Sequence, residues 1–361
     1  MNWDYEHSIL QISGSLYKYY GIDRGHGSDP QLDEYLSRIQ PRCIIAVLID
    51  ALGTSILNRH LGKDDFFRRY RLKDVSSVFP PTTTAATTAF LTGHSPAENG
   101  WLGWNQYFDE EQDHIILFRH SGIFSNRQYP DGFAEERLPV DKIYDVLNEH
   151  EIAADSLWPG WSLHNPCRTY QDMLDQALKL SRENRFLYAY WDDLDAFLHE
   201  YGTEAGGSMV RVLNDQTEQF ATRLPEDTVL LVIADHSQID VQNYPLDLDE
   251  ELCACLRREP ALEQRVTAFY VREDKEKDFV RIFRKRFGDR FLLLSKAEVL
   301  SSGIFGLGVP SPRLEEFTGD YLSIALTPLS LNYRKLDTIR GNHAGMVPEE
   351  RYIPVILFNK S

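Results

Sequence analysis

Acidic and histidine side chains directly follow three of the predicted β-strands. They are Asp50 after the apolar run 43–49, the group Asp192, Asp193 and Asp195 after 186–191, and the pair Asp235 and His236 after 228–234. An aspartate at such a point can also serve as the N-cap of the next helix. In an open parallel sheet, however, the carboxyl ends of the strands border a common ligand crevice. Carboxylates that meet there repel one another, so the pattern favours a divalent-metal site.

Two further histidines can join this constellation. Asp195 and His199 are four residues apart, which places both on one face of a helix and within reach of one cation. His343 lies in a loop of small residues, 341–345, before a predicted strand. A loop histidine by itself is weak evidence, and its assignment depends on the other residues of the constellation.

The segment 79–93 contains two prolines followed by a run of threonine and alanine. It predicts a helix that starts within this run, and two interpretations are open. Its hydroxyls can simply bond to the local backbone, since threonine is a good N-cap. Alternatively, one threonine is a nucleophile at the helix N-terminus, where the dipole and free amides attract a phosphate. Such a hydroxyl needs a metal or a base to activate it.

The elements that must position these residues alternate between strands and helices. Helices are predicted at 5–20, 31–39, 139–150, 170–183, 208–223 and 275–287, and a late strand at 352–358. Pro354 places that late strand at the sheet edge. The alternation predicts an α/β fold, a three-layer α/β/α sandwich with a mostly parallel sheet.

We divide the chain into four segments. Residues 1–40 form a helical leader packed on the core, 41–244 the first part of the catalytic core, 245–335 an inserted α+β cap, and 336–361 the closing segment.

Composition limits the class of partner. The 361 residues carry 38 Lys and Arg against 55 Asp and Glu, a net charge of −17, which disfavours nucleic-acid polymers and anionic membranes. Four cysteines do not make a disulfide framework. Neither a signal peptide nor a run of about 18 apolar residues is visible. We therefore expect a cytoplasmic protein acting on a small substrate, while its oligomeric state stays undetermined.

Five motifs in order give the chain a family resemblance. They are Ile49-Asp50, Phe79-Pro80-Pro81-Thr82-Thr83 with Thr92-Gly93, Asp195-x3-His199-x2-Gly202, Ala234-Asp235-His236 and Gly341-Asn342-His343. The sequence resembles the alkaline phosphatase superfamily and, within it, the nucleotide pyrophosphatase/phosphodiesterase (type I phosphodiesterase) branch. In that branch a Thr-Gly pair begins nine residues after the nucleophile, which selects Thr83 here.

The resemblance implies an alkaline phosphatase-like fold, two divalent metal ions and a phosphodiesterase or nucleotide pyrophosphatase activity. One ion would be held by Asp195, His199 and His343, and the other by Asp50, Asp235 and His236. Thr83 would face the second ion, attack phosphorus and form a phospho-threonine intermediate that water then hydrolyses. The mixed ligands fit zinc, with manganese or iron as alternatives.

The sequence departs from the family at two places. The family's asparagine that touches a phosphate oxygen is missing after Thr83, and Asn105 is the candidate substitute. Ala344 stands where the family has glycine. The aromatic stretch that contains Asn105 also provides candidate substrate-binding residues, namely Trp101, Trp104 and Tyr107.

The absence of charged residues between Val75 and Gly93 favours a diester or pyrophosphate substrate, such as a nucleotide. Arg313 or Arg340 could still supply the positive charge that a monoester requires. A phosphomonoesterase, phosphonate hydrolase or phosphomutase on the same core therefore stays open. So does a scaffold that is stabilised by metal and binds a phosphorylated partner without turnover.

Overall fold

The structure, a computed structural model, describes residues 3–334 and 338–360. The strands of these residues are, in chain order, β1 (Cys43–Ile49), β2 (Arg71–Ser76), β3 (Asn105–Phe108), β4 (Asp113–Ile116), β5 (Ser121–Gly122), β6 (Ala154–Pro159), β7 (Pro166–Cys167), β8 (Phe186–Trp191), β9 (Thr228–Ile233), β10 (Ile239–Asp240), β11 (Gln242–Pro245), β12 (Ala261–Leu262), β13 (Val266–Phe269), β14 (Phe291–Ser295), β15 (Tyr321–Ala325), β16 (Leu329–Asn332), β17 (Gly341–Asn342) and β18 (Tyr352–Asn359).

The α-helices of the same residues are α1 (Ile9–Tyr19), α2 (Pro30–Ile39), α3 (Thr54–His60), α4 (Phe66–Arg69), α5 (Thr83–Thr92), α6 (Pro96–Asn99), α7 (Phe133–Arg137), α8 (Ile143–Glu149), α9 (Tyr170–Leu180), α10 (Asp193–Tyr201), α11 (Gly207–Arg223), α12 (Glu250–Cys253), α13 (Glu276–Phe287), α14 (Lys296–Ser302), α15 (Leu314–Phe317) and α16 (Pro348–Arg351). Each of the six helices predicted from the sequence is present. Among the described residues, no helix combines the length and the apolar character that crossing a membrane requires.

The first sheet is mostly parallel and has seven strands in the order β2-β18-β9-β1-β8-β6-β7. Its central strands β9, β1 and β8 run parallel and are buried at every residue, which explains their continuous apolar sequences. Helices α1, α2 and α5 pack together in one group, and α3, α4, α9 and α11 in another. The predicted α/β sandwich with a mostly parallel sheet is confirmed.

The prediction that the late strand lies at the sheet edge is wrong. Strand β18 lies between β2 and β9 and is antiparallel to both. Pro354 fits this inner position because its partner is Asp74 in β2, whereas pairing with β9 begins only at Val355. The proline therefore lies beyond the end of β9, where no ladder bond to that strand is lost.

A second seven-stranded sheet has the order β14-β15-β13-β12-β3-β4-β5, and its strand pairs are antiparallel. Four of its strands come from the region 245–335, which the sequence predicts to be an inserted cap. The other three, β3 to β5, come from residues 105–122, which the sequence analysis assigns to the core. The domain boundaries themselves stay a prediction.

A buried ion pair connects the second sheet to the closing segment. Arg265, between β12 and β13, and Glu350, in α16, are both fully buried and paired through Nη2 and Oε1. Arg265 also donates to the carbonyls of Thr327 and Leu329. Glu350 accepts the backbone N–H of Gly345, two residues after His343. This pair therefore anchors the loop that carries His343.

We expect Arg265→Met to lower the free energy of unfolding by about 3–5 kcal/mol, because it leaves the Glu350 carboxylate buried without its partner. Urea denaturation followed by circular dichroism measures the change. Arg69→Met is the matched control, since the Arg69–Glu218 pair is exposed and such pairs contribute less than about 1 kcal/mol. Equal losses in the two variants would contradict a special role for the buried pair.

Candidate functional site

The candidate site lies at the carboxyl ends of three neighbouring strands, β9, β1 and β8. Asp50 follows β1 directly, and Asp235 with His236 lies just after β9. Asp195 lies in the first turn of α10, the helix that follows β8. Because these strands are parallel and adjacent, their ends bring the acidic residues to one edge of the sheet, as the sequence predicts.

The first ligand group consists of Asp195, His199 and His343, whose ligand atoms lie within 4.8 Å of one another. The Nε2 of His199 is 3.2 Å from Asp195 Oδ2, and the Nε2 of His343 is 3.9 Å from Asp195 Oδ1. Gln238 holds the carboxylate in place by donating to Asp195 Oδ1 at 2.5 Å. The spacing of four residues on α10 thus produces the juxtaposition expected from the sequence.

The second ligand group consists of Asp50, Asp235 and His236, also within 4.8 Å and all buried. The Nε2 of His236 is 3.3 Å from Asp50 Oδ1 and 3.5 Å from Asp235 Oδ2. Oxygen Oδ1 of Asp235 accepts the backbone N–H groups of Ala51 and His236. Its Oδ2 is buried and has no hydrogen-bond partner among the described residues.

Backbone carbonyls orient all three histidines. The Nδ1 of His199 lies 2.8 Å from the carbonyl of Gly341, that of His236 3.2 Å from Ser237, and that of His343 3.2 Å from Pro81. A carbonyl can only accept, so each Nδ1 donates its proton to the backbone, and each Nε2 lies on the side of the carboxylates. This is the arrangement of histidines that ligate metals.

The two ligand groups are in contact. The rings of His236 and His343 stack with their centroids 3.8 Å apart. Gly341 allows the loop of His343 to approach α10, because a Cβ there would lie 2.5 Å from the carbonyl oxygen of Leu198. The groups thus form one continuous centre rather than two separate sites.

Thr83 is the first residue of α5, and Thr82 is its N-cap. The hydroxyl of Thr83 lies 3.2 Å from Asp50 Oδ2 and 3.1 Å from His236 Nε2. The first amides of a helix have no intrahelical acceptor, and the dipole makes this end positive. A hydroxyl oxygen and an anion-attracting helix end therefore face the second ligand group.

Burial raises the pKa of two of the three carboxylates in the centre. Burial, together with the charges of Asp235 and Asp195, raises the pKa of Asp50 well above its usual range. Burial likewise raises the pKa of Asp235. Burial alone would raise the pKa of Asp195, but the charge of His199 outweighs it and the pKa is lowered.

The donor set fits divalent cations. Three carboxylates and three imidazoles converge, and the buried Oδ2 of Asp235 has no hydrogen-bond partner among the described residues. A cation at each group would satisfy these oxygens and offset both the burial and the mutual repulsion of the carboxylates. Asp192 and Asp193 belong to neither group, and Asp192 instead accepts from the indole of Trp161 at 2.7 Å.

Three residues beside the centre were not found by sequence reasoning. Tyr190, in β8, is buried and donates its hydroxyl to Asp50 Oδ2. Gln238 holds Asp195, as described above. Glu263 accepts the Thr82 hydroxyl at 2.6 Å, although the two residues are 181 positions apart. No local sequence pattern marks these residues, because only the packing of distant segments brings them to the site.

The predicted substrate-binding residues lie in and beside the second sheet. Asn105, in β3, donates through Nδ2 to the carbonyl of Leu262 at 2.9 Å, and its buried Oδ1 has no partner among the described residues. The backbone N–H of Trp104 donates to Glu263 at 2.7 Å. Trp101 and Tyr107 are buried in the apolar core of this sheet. Contact of these four residues with a substrate stays a prediction.

The sequence departures have local structural consequences. Ala344 has φ 83°, in the left-handed region that favours the glycine of the family. Arg313, one of the cations considered for a monoester site, is paired with Glu110 and Glu316. The other, Arg340, donates its backbone N–H to the carbonyl of His199.

Comparisons with solved structures show the same fold. Murine ectonucleotide pyrophosphatase/phosphodiesterase 5 superposes with a TM-score of 0.66 at 15% identity, covering 87% of each chain. An inactive variant of that protein, in complex with AMP, superposes equally well. Phosphonoacetate hydrolase from Sinorhizobium meliloti, in complex with phosphonoformate, has a TM-score of 0.64 at 15% identity and covers 88% of this chain and 90% of its own. The search of curated protein sequences finds no match.

The family comparison covers most residues of the candidate site. The sequence model of type I phosphodiesterase/nucleotide pyrophosphatase matches residues 44–286. This range contains Thr83, the whole second ligand group and two residues of the first, and only His343 lies beyond it. The chain therefore belongs to the type I phosphodiesterase/nucleotide pyrophosphatase family and is a hydrolase of phosphoric ester or anhydride bonds.

Proposed function

We propose that this protein hydrolyses small phosphodiesters or nucleotide pyrophosphates, with Thr83 as its nucleophile and two divalent cations as cofactors. The position of the Thr83 hydroxyl supports the proposal. It lies at the N-terminus of α5 and within 3.2 Å of side chains from the second ligand group. A scaffold that only binds phosphate would need no hydroxyl at this point.

The two ligand groups would each hold one cation, and zinc suits their mixture of carboxylate and imidazole, with manganese or iron as alternatives. When bound, such cations supply charge stabilisation to the attacking and leaving oxygens of an in-line displacement. Tyr190 and Gln238 keep Asp50 and Asp195 oriented for this role, through the hydrogen bonds that they donate.

The chain's own residues carry the two steps of hydrolysis. Thr83 Oγ1 forms a bond to phosphorus while the bond to the leaving oxygen breaks, and the hydroxyl proton passes to the leaving group or to solvent. The first amides of α5 hold the phosphoryl oxygens in place. Water then cleaves the phospho-threonine ester and restores the hydroxyl, which gives a net hydrolysis.

The charge around Thr83 favours a reacting phosphoryl group with a single negative charge, as in diesters and in the internal phosphates of nucleotide pyrophosphates. No charged residue lies between Val75 and Gly93, and Arg313 is paired with Glu110 and Glu316. The AMP complex of the murine relative supports a nucleotide as the substrate class. The likeness to phosphonoacetate hydrolase is the observation that favours the alternative, hydrolysis of a phosphonate or monoester. A cytoplasmic location stays a prediction.

We expect Thr83→Ala to reduce hydrolysis of bis-p-nitrophenyl phosphate by about a thousandfold or more, because the attacking oxygen is removed. Bound metal, measured by mass spectrometry, should be unchanged. Thr87→Ala is the matched control, since it removes the same hydroxyl one turn further along α5, where it donates to the carbonyl of Thr83. Full activity of Thr83→Ala would refute the nucleophile assignment.

The same assay, run beside p-nitrophenyl phosphate, tests the substrate class. A higher kcat/KM for the diester supports the proposed function, and a higher value for the monoester supports the alternative. Hydrolysis of neither ester by metal-loaded protein would favour a binding scaffold.

When the protein is stripped of metal with EDTA and titrated with Zn²⁺, we expect it to bind two cations per chain. Under the same treatment, we expect the Asp195→Asn and Asp235→Asn variants to bind one cation each. Each substitution removes a carboxylate from one group only. Zinc should also raise the melting temperature, because it binds the folded state and offsets the repulsion between carboxylates. Asp192→Asn is the control, and it should keep both cations. Two cations in both ligand variants would disprove the assignment of the groups.

A further inference from the structure

We infer that Glu263 is a specificity-determining residue, whose fixed negative charge disfavours phosphoryl groups carrying two negative charges. The inference rests on the function proposed above and names the residue behind its substrate class. A phosphomonoester is close to a dianion at neutral pH, whereas a diester is a monoanion. A carboxylate beside the phosphoryl position therefore repels the monoester about twice as strongly as the diester.

The backbone of Glu263 is held at the turn between β12 and β13, in the second sheet. Its N–H donates to the carbonyl of Val266 at 2.9 Å, and its carbonyl accepts the Thr267 hydroxyl at 2.7 Å. The preceding residue, Leu262, has φ 72°, a conformation rare for a side chain of this size. These backbone contacts fix the conformation of the turn and so limit the directions in which the Glu263 side chain can point.

The carboxylate points at the N-terminus of α5. Its Oε1 accepts both the hydroxyl of Thr82, at 2.6 Å, and the backbone N–H of Trp104, at 2.7 Å. Thr82 is the N-cap residue directly before Thr83. Glu263 thus lies one residue away from the proposed nucleophile, at the helix end that would receive the phosphoryl oxygens.

The charge of Glu263 reaches both halves of the centre. Burial raises the pKa of Glu263, whereas the hydrogen bonds from Thr82 and Trp104 favour its carboxylate form, as do electrostatic interactions with His236 and His199. The carboxylate also offsets part of the positive potential at the end of α5. The segment between Val75 and Gly93 contains no positive side chain that would compensate.

A purely structural role is the competing explanation, since Glu263 joins the second sheet to α5. Glu263→Gln separates the two roles. Glutamine has the same side-chain length and keeps an acceptor oxygen for Thr82 and Trp104, but it removes the negative charge. Glu263→Asp is the complementary variant, because it keeps the charge and shortens the side chain.

The first measurement is kcat/KM for bis-p-nitrophenyl phosphate and for p-nitrophenyl phosphate. The second is the affinity of zinc-loaded protein for inorganic phosphate, measured by calorimetry at pH 8, where phosphate is a dianion. In Glu263→Gln we expect the diester-to-monoester ratio to fall about tenfold and phosphate to bind about tenfold more tightly. Glu263→Asp should keep the wild-type ratio. Glu149→Gln, which removes the same charge from an exposed position on α8, should change neither quantity.

An unchanged phosphate affinity in Glu263→Gln would overturn the inference, as would equal changes in the Gln and Asp variants. If Glu263→Gln does not fold, Glu263→Ser carries the same expectation, because it removes the charge and leaves room for water beside Thr82. The phosphate titration needs no turnover. Tighter phosphate binding by Glu263→Gln, in a protein that hydrolyses neither ester, would therefore refute the proposed function and support the inference on charge.

Discussion

Repulsion between buried carboxylates is the constraint on which the site depends. Asp50, Asp195 and Asp235 converge because they follow three adjacent strands of a parallel sheet. Burial, and after it the charges of neighbouring carboxylates, raise the pKa values of Asp50 and Asp235. Three imidazoles, each anchored by a carbonyl at Nδ1, direct their Nε2 atoms towards the carboxylates. Cations bound here would neutralise the carboxylates, and this is the proposed link between the fold and hydrolysis of phosphoesters.

The second sheet completes the centre that the first sheet begins. One short turn, between β12 and β13, carries both Glu263 and Arg265. Glu263 reaches Thr82 at the start of α5, and Arg265 reaches Glu350 beside the loop of His343. The start of α5 and the loop of one histidine are thus supported from outside the parallel sheet. A change in this turn can alter the charge beside Thr82 without changing either ligand group.

Local patterns predicted the α/β class and the ends of the central strands, whereas the membership of both ligand groups was predicted from the family resemblance. Apolar runs that end in aspartate predict buried parallel strands, and the spacing of Asp195 and His199 needs only one helical turn. The edge position of β18 was predicted wrongly, because the rule that places proline at an edge takes no account of strand length. Pro354 is tolerated inside the sheet because β9 ends before reaching it.

The order of residues along the chain was enough to predict the buried strands that precede Asp50, Asp192 and Asp235, the shared helix face of Asp195 and His199, and a helix that begins within the threonine run. Tertiary structure alone decided that β3 to β5 join strands of the predicted cap, that Tyr190 holds Asp50, and that Glu263 lies beside Thr82. The physical reason is range. Helix periodicity and strand burial arise from neighbouring residues, whereas a hydrogen bond across 181 positions arises only when the turn after β12 packs against the start of α5.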